Sequence, residues 1–386
     1  MNEKNLNVFI DFGSSKIRIG IFDKETTKNI FISEKECTSN FNLEKFEINN
    51  SNEVIKDLIQ SAEKKIDKHI KNINLMIDTP GMFSIDISIK KKSDYKMNSK
   101  KDIQSLLKEA KSLIQKNYPK QKIIHIIVKK FVFDDKKYYE FPNKEINYYC
   151  LVAELKFICM PYQIWKNLHN IFNKNHITID NLYCSSYVRS SSCNLIFDNF
   201  KKKIVLDIGF GKSSVAVFEE KRLLYFNILP IGGRHITNDI SLLLKINRDE
   251  AEKLKKSLNK SEITFSNKTD IEKQSSDLSK EVIFARVDEI IKLNLADDYF
   301  NNFFTQKDNC VLIFIGEGSK ILNKNSIYLE EKFDFFNEIS FFEENTTSIC
   351  ESGYNFVERT KLQEVDFLSK KSKNKGFFEK IFYLFD

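Results

Sequence analysis

Ile10-Asp11-Phe12-Gly13-Ser14-Ser15-Lys16, continued by Ile19-Gly20-Ile21-Phe22-Asp23, recurs in the same register past the middle of the chain. The second copy reads Leu206-Asp207-Ile208-Gly209-Phe210-Gly211-Lys212, continued by Val215-Ala216-Val217-Phe218-Glu219. Each copy spells an apolar strand, a tight turn of small residues and a second apolar strand, which is a hairpin with a polar, glycine-containing tip. Glycine lets a backbone approach a phosphate closely, and the N–H groups of such a turn point into the concavity they form. An aspartate closing the first strand can hold water on a divalent cation beside those phosphates. A lone Asp-x-Gly is common at ordinary strand ends. Two in matched register imply related lobes that clasp a nucleoside triphosphate tail from both sides. The candidate binding residues are therefore Asp11, Gly13, Ser14, Ser15 and Lys16 in one hairpin and Asp207, Gly209, Gly211, Lys212 and Ser213 in the other. Asp11 and Asp207 are the through-water metal candidates, and Asp207 is the candidate for positioning a water.

With 386 residues the chain can form two domains or one bilobal unit, and its 34 phenylalanines leave ample apolar surface to bury. A net charge of +7 spread over dispersed lysines argues against a nucleic-acid partner. Seven cysteines, with no C-x-x-C spacing, lie among apolar residues and fit a reduced, cytosolic protein. Met1-Asn2-Glu3-Lys4-Asn5-Leu6 carries no apolar signal region, and no window approaches the ~18 to 20 apolar residues that cross a membrane. The five histidines show no metal-ligand spacing. Ser191-Ser192-Cys193 lacks any histidine or aspartate pattern for a nucleophile and reads as a helix segment.

Residues 54–66 carry apolar positions at one helical face, and Leu75-Met76-Ile77-Asp78 supplies a strand that Thr79-Pro80-Gly81 breaks. From there to about residue 160 a compact βαββ-like insertion is expected: strand 85–89, helix 100–115, strands 123–128 and 151–158. A helix at 165–173 and a strand at 177–182 lead to Ser185-Ser186 and the second hairpin. Pro230-Ile231-Gly232-Gly233 then turns into a helix whose N-terminus could offer a third phosphate contact through Gly232 and Gly233. Helices are expected at 248–258 and 281–295, with strand and loops over 259–279. Val311-Leu312-Ile313-Phe314-Ile315 is a fully buried strand running into Gly316-Glu317-Gly318-Ser319, a turn of the type that meets a ribose and adenine.

The order of hairpin, insertion, second hairpin and late Gly-x-Gly turn resembles the actin-like ATPase superfamily, and within it the bacterial cell-division family FtsA. The resemblance covers nearly the whole chain and rests on the order of short motifs. It implies an α/β, actin-like (ribonuclease H-like) two-lobed fold with an inserted FtsA-type subdomain and a C-terminal amphipathic helix. The expected divisions are a first lobe at 1–79 and 161–198, the insertion at 80–160, a second lobe at 199–238 and 306–357, its subdomain at 239–305, and a linker and membrane-targeting helix at 358–386. In Ala251-Glu252-Lys253-Leu254-Lys255 the resemblance implies that Glu252 and Lys255 reach an adenosine. The implied cofactors are ATP and Mg2+. The sequence departs from the family at Phe210, where Gly is usual, at Lys212, where Thr or Ser is usual, and at Glu317, in place of a second Gly. A carboxylate beside a nucleotide repels phosphate unless a cation intervenes, and Lys212 could offset this by pairing with phosphate.

Lys370-Lys371-Ser372-Lys373-Asn374-Lys375 precedes a segment in which Phe377, Phe378, Ile381, Phe382, Leu384 and Phe385 fill one helical face. A basic tether before an aromatic amphipathic helix has the composition of an anchor to anionic membrane; the alternative is a terminal helix packed on the protein's own core. The family resemblance adds such a tail, and a helix beginning Glu281-Val282-Ile283-Phe284-Ala285-Arg286 resembling the one that meets the acidic C-terminal peptide of FtsZ. Arg286 could pair with that peptide or be an ordinary helix arginine. The implied function is a cell-division scaffold that binds ATP, associates with itself and with other division proteins, and tethers FtsZ filaments to the cytoplasmic side of the membrane at the division site, with at most slow ATP turnover. A sugar-kinase-like phosphotransferase and a PilM-like pilus-assembly protein are the alternatives of the same superfamily.

Overall fold

The computed structural model describes residues 6–37, 49–97, 100–139, 146–260, 270–296, 300, 309–322 and 336–365. Two five-stranded sheets carry the two hairpins, and they are built alike. In the first, β1 (Leu6–Phe12), β2 (Lys16–Asp23) and β3 (Asn29–Glu36) form an antiparallel meander, and β1 pairs in parallel with β4 (Asn72–Ile77), which pairs in parallel with β9 (Thr178–Cys184). In the second, β10 (Lys202–Ile208), β11 (Ser213–Glu219) and β12 (Arg222–Leu229) form the meander, and β10 pairs with β13 (Cys310–Ile315), followed by β14 (Glu338–Phe341). The strand orders, β3-β2-β1-β4-β9 and β12-β11-β10-β13-β14, are the same pattern written twice. β1, β10 and β13 are buried along nearly their whole length, as their continuous apolar runs require of strands covered on both faces.

The expected insertion is present as a separate antiparallel sheet of order β5-β8-β6-β7, from β5 (Phe83–Met97), β6 (Gln121–Phe133), β7 (Lys136–Tyr138) and β8 (Tyr148–Pro161). Its strands run well beyond the expected segments. Helix α2 (Lys100–Asn117) lays Leu106, Leu107 and Ala110 on this sheet, giving the unit its own core. The unit also touches the second sheet, where the Ser84 hydroxyl donates to the Phe226 carbonyl at 2.5 Å.

Helices α1 (Asn49–Ile66), α3 (Tyr162–Lys174) and α4 (Ser185–Ile196) accompany the first sheet; α5 (Gly233–Leu244), α6 (Arg248–Lys260) and α7 (Asp270–Asn294) accompany the second. Helix α7 starts well before the expected residue 281, inside a stretch read as strand and loops. The last described helix, α8 (Thr346–Val365), leaves the second sheet and crosses to the first. There Cys350, Tyr354 and Val357 pack on Phe9, Phe22 and Met76, with the Phe22 and Tyr354 rings stacked at 4.8 Å. Residues 346–357, grouped by sequence with the second lobe, thus lie on the first. The close approach needs glycine: a Cβ on Gly20 would fall 2.6 Å from Cys350 Cβ, and one on Gly353 2.9 Å from the Phe9 ring. The amphipathic segment of residues 377–385 lies outside the described residues.

Candidate functional site

The two hairpins superpose in their bonding. Asp11 stands opposite Arg18 and Asp207 opposite Ser214, seven residues on in each case. Both turns close alike: Gly13 N–H donates to the Lys16 carbonyl at 3.0 Å, and Gly209 N–H to the Lys212 carbonyl at 2.9 Å. The tips face each other and touch, because the Gly211 N–H donates to the Ser14 hydroxyl at 3.1 Å.

Both strand-end aspartates are buried and engaged. Asp11 accepts from Arg18 at 3.0 Å and from the Ser185 hydroxyl at 2.6 Å. Asp207 accepts from Arg189 of α4 at 2.9 and 3.4 Å, and the Ser186 hydroxyl lies 3.3 Å away. Burial lifts the Asp207 carboxyl to about 6, with the Arg189 guanidinium pulling it back. Arg189 is also bound to Glu344, which in turn accepts from the Gly316 N–H at 3.1 Å. Gly316 has φ +86° and lies so close to Asp207 and the Ile208 carbonyl that no Cβ fits.

A third strand end completes the cleft. Asp78, following β4, accepts from the Ser186 N–H and hydroxyl at 3.0 and 2.8 Å, and the Lys212 ammonium of the opposite hairpin reaches it directly. Burial pulls that ammonium down to about 7, against the field of Asp11. Glu317, in the 3-10 turn Glu317–Ile321, accepts from Lys16 at 3.2 Å and lies 3.5 Å from Arg18. The cation expected to shield this carboxylate therefore comes from the other lobe.

The remaining candidate residues are placed as follows. Lys255 is buried and donates to the Gly233 carbonyl, Thr237 and Glu252 at 3.0, 2.7 and 2.5 Å, with its ammonium 5.5 Å from the Phe210 ring centre. Glu252 and Lys255 thus come together beside the second hairpin, engaged with each other. At the start of α5, Gly233 and Arg234 donate their N–H groups to the Gly209 and Phe210 carbonyls, at 2.9 and 2.6 Å. Those amides bind the hairpin and do not point into the cleft, unlike the helix-terminus phosphate contact expected at Gly232 and Gly233. Ser213 turns away to accept from Asn294 at 2.8 Å, and Ser319 donates to the Gly316 carbonyl at 2.7 Å. Ser15 holds the Cys37 N–H through its carbonyl at 2.7 Å. Gly318 packs on the Ile208 carbonyl. Arg286 lies far from this cluster in sequence and is bidentate to Asp239 of α5, at 2.6 and 3.1 Å.

Arg18, Arg189 and Glu344 escape the motif reading. Arg18 had a signal: a guanidinium inside Ile17-Arg18-Ile19-Gly20-Ile21 requires a buried acid, and the hairpin register names Asp11. Arg189 and Glu344 had none, because their meeting depends on the crossing from β14 to α8.

The space between the tips is bounded by Ser14, Asp78, Gly81, Gly211, Lys212 and Pro230. A triphosphate with Mg2+ does not fit this arrangement. Its cation would need free carboxylates for its water shell, and Asp11 and Asp207 are each held by a guanidinium. Among the described residues no cluster of histidine, cysteine and carboxylate side chains forms a metal site, all seven cysteines are free, and no helix is long and apolar enough to cross a membrane.

The family model "Cell division protein FtsA" matches residues 204–367. The FtsA of Bacillus subtilis is 26% identical over 271 residues, 67% of this chain and 59% of that protein. The FtsA of Streptococcus pneumoniae is 26% identical over 209 residues, 52% of this chain and 44% of that one. The chain spans about half the length of these curated relatives. Among solved structures, the PilM-PilN type IV pilus biogenesis complex aligns with TM-score 0.61 at 12% identity, over 92% of this chain and 96% of that one. MreB5 of Spiroplasma citri, bound to AMPPNP, aligns with TM-score 0.51 at 10% identity, over 95% and 100%. The fold is actin-like.

Proposed function

We propose that this FtsA-like protein of the actin fold is a cell-division scaffold that holds FtsZ filaments at the cytoplasmic face of the membrane. The observation that carries this reading is the agreement of the family match over residues 204–367 with a fold in which two five-stranded sheets repeat the hairpin. The basic and aromatic sequence of residues 370–386 supports a peripheral anchor, with the lysines drawn to anionic lipid and the aromatic face entering the headgroup boundary. Arg286, the candidate contact for the acidic FtsZ peptide, would have to exchange the Asp239 carboxylate for one of the peptide's. Self-association and contacts with other division proteins belong to the same reading.

Proteins of this fold generally bind nucleotide with Mg2+. The expected ATP site of this chain would comprise the two hairpins, the Glu252 and Lys255 pair and the Gly316 turn, and ATP there would set the angle between lobes by hinge closure. The donor set does not fit that role as arranged, so scaffolding here is read without a nucleotide step. A sugar-kinase reading has no use for the basic and aromatic sequence of residues 370–386.

The test is co-sedimentation of the full chain, and of a truncation ending at Ser369, with anionic vesicles and purified FtsZ. Pelleting of FtsZ only with the full chain supports the tether. Failure of both forms to pellet removes it.

A further inference from the structure

We infer that the interlobe cleft is an internal clamp, in which the chain's own cations pair with the cleft carboxylates and hold the two lobes closed without nucleotide. The inference rests on the fold and the cleft geometry and is independent of the FtsZ reading.

The links run in both directions across the cleft. The first lobe gives Arg189 to Asp207 of the second; the second gives Lys212 to Asp78 of the first. Lys16 of the first hairpin pairs with Glu317 of the late turn, and the Gly211 N–H binds Ser14. A triphosphate gripped from both sides needs the tips apart, and these are in hydrogen-bond contact. It also needs cationic surplus. Asp11, Asp78, Asp207 and Glu344 already outnumber Arg18, Arg189 and Lys212 in the buried part of the cleft, so an added polyanion meets a negative site.

The geometry of the arginine is decisive. A guanidinium is planar, permanently charged and bidentate, and Arg189 spans Asp207 and Glu344 at once. Glu344 then binds the Gly316 amide, so one side chain ties the second hairpin to the late turn and to α4. Displacing it would leave two buried carboxylates unpaired, which is costlier than an exchange at an open site. On the other side Lys212 pairs with the one carboxylate of Asp78 and donates to the Ser186 hydroxyl at 2.8 Å.

The experiment titrates the full chain with a fluorescent N-methylanthraniloyl ATP, once with Mg2+ and once with EDTA, and follows hydrogen exchange at the Gly211 amide. The expected result is no saturable signal up to ~1 mM, the range of very weak binding, with Gly211 protected and unchanged by ATP. Saturable binding under either condition overturns the inference. Lys212→Met should speed exchange at Gly211 by about tenfold or more, because local opening governs protection; a folded variant exchanging at the parent rate overturns it. If that variant does not fold, Ser14→Ala, which removes only the tip-to-tip acceptor, must show the same direction of change for the clamp to stand.

Discussion

Lys212, at the tip of the second hairpin, delivers its ammonium across the cleft to Asp78, the residue that ends β4 in the first lobe. The carboxylate is almost fully buried and holds three further donors, from Ser186 and Cys184. Breaking such a pair by removing one member strands a buried charge, which costs about 3 to 5 kcal/mol. Asp78→Asn should therefore lower stability by roughly that amount. Asp78→Asn combined with Lys212→Met should cost clearly less than the two single changes added together. Urea unfolding of the four proteins of this double-mutant cycle measures the coupling; simple additivity would mean that the contact carries no interaction energy.

His125 gives the fold an acid limit. Its Nε2 accepts the Cys184 N–H at 2.9 Å, which requires a neutral ring, and Tyr183, Tyr187 and Phe356 surround it. Burial pulls the imidazole down to about 3. The unfolded chain, with an ordinary value near ~6.5, binds the proton first. Stability from this residue is thus complete above pH ~6.5 and falls as pH drops toward 3, by on the order of 4 kcal/mol. Thermal melts between pH 4 and 8 should show this slope, and His125→Gln, which keeps an acceptor but cannot titrate there, should flatten it.

Gly353 sits in the middle of α8 because the helix lies directly on Phe9 and Met76. Gly353→Ala would normally help a helix by about 1 kcal/mol. Here it should instead destabilise by about 1 to 3 kcal/mol, the usual cost of overpacking. A raised melting temperature would show that α8 can lift away at no expense.

Phe382→Glu places a charge on the apolar face of the C-terminal segment. Vesicle binding should drop sharply, with stability changed by less than ~1 kcal/mol if this face serves lipid and not the protein's own core. Unaltered pelleting would remove the anchor from this face.

Much of the fold could be read from residues because it is local. The two hairpins follow from strand, turn and strand, and the insertion from its own alternation of apolar segments; the structure has both. Helix α8 was not legible, since Thr346-Thr347-Ser348 and Ser352-Gly353 are weak helix formers and the segment is helical through its packing on the first sheet. Helix α7 hid its start for a related reason: Asp270-Ile271-Glu272-Lys273-Gln274-Ser275-Ser276 shows no apolar stripe. In the cleft, the motifs identified Asp11, Asp207 and Lys212 but not what they hold. The partner of Asp11, Arg18, follows from the hairpin register, but the bonds of Asp207 to Arg189 and of Lys212 to Asp78 join residues from separate strands and helices, pairings that only the folded chain brings about.

Because α8 supplies the cover for Phe9, Phe22 and Met76, strands β1, β2 and β4 wait during synthesis for a helix roughly 270 or more residues further on before their outer face is closed. Contacts of such sequence separation are slow to form, and the exposed apolar face is open to wrong association in the interval. Synthesis of this chain therefore passes through a long stage in which its first lobe has a finished sheet and an unfinished surface, the stage at which a chaperone has most to protect.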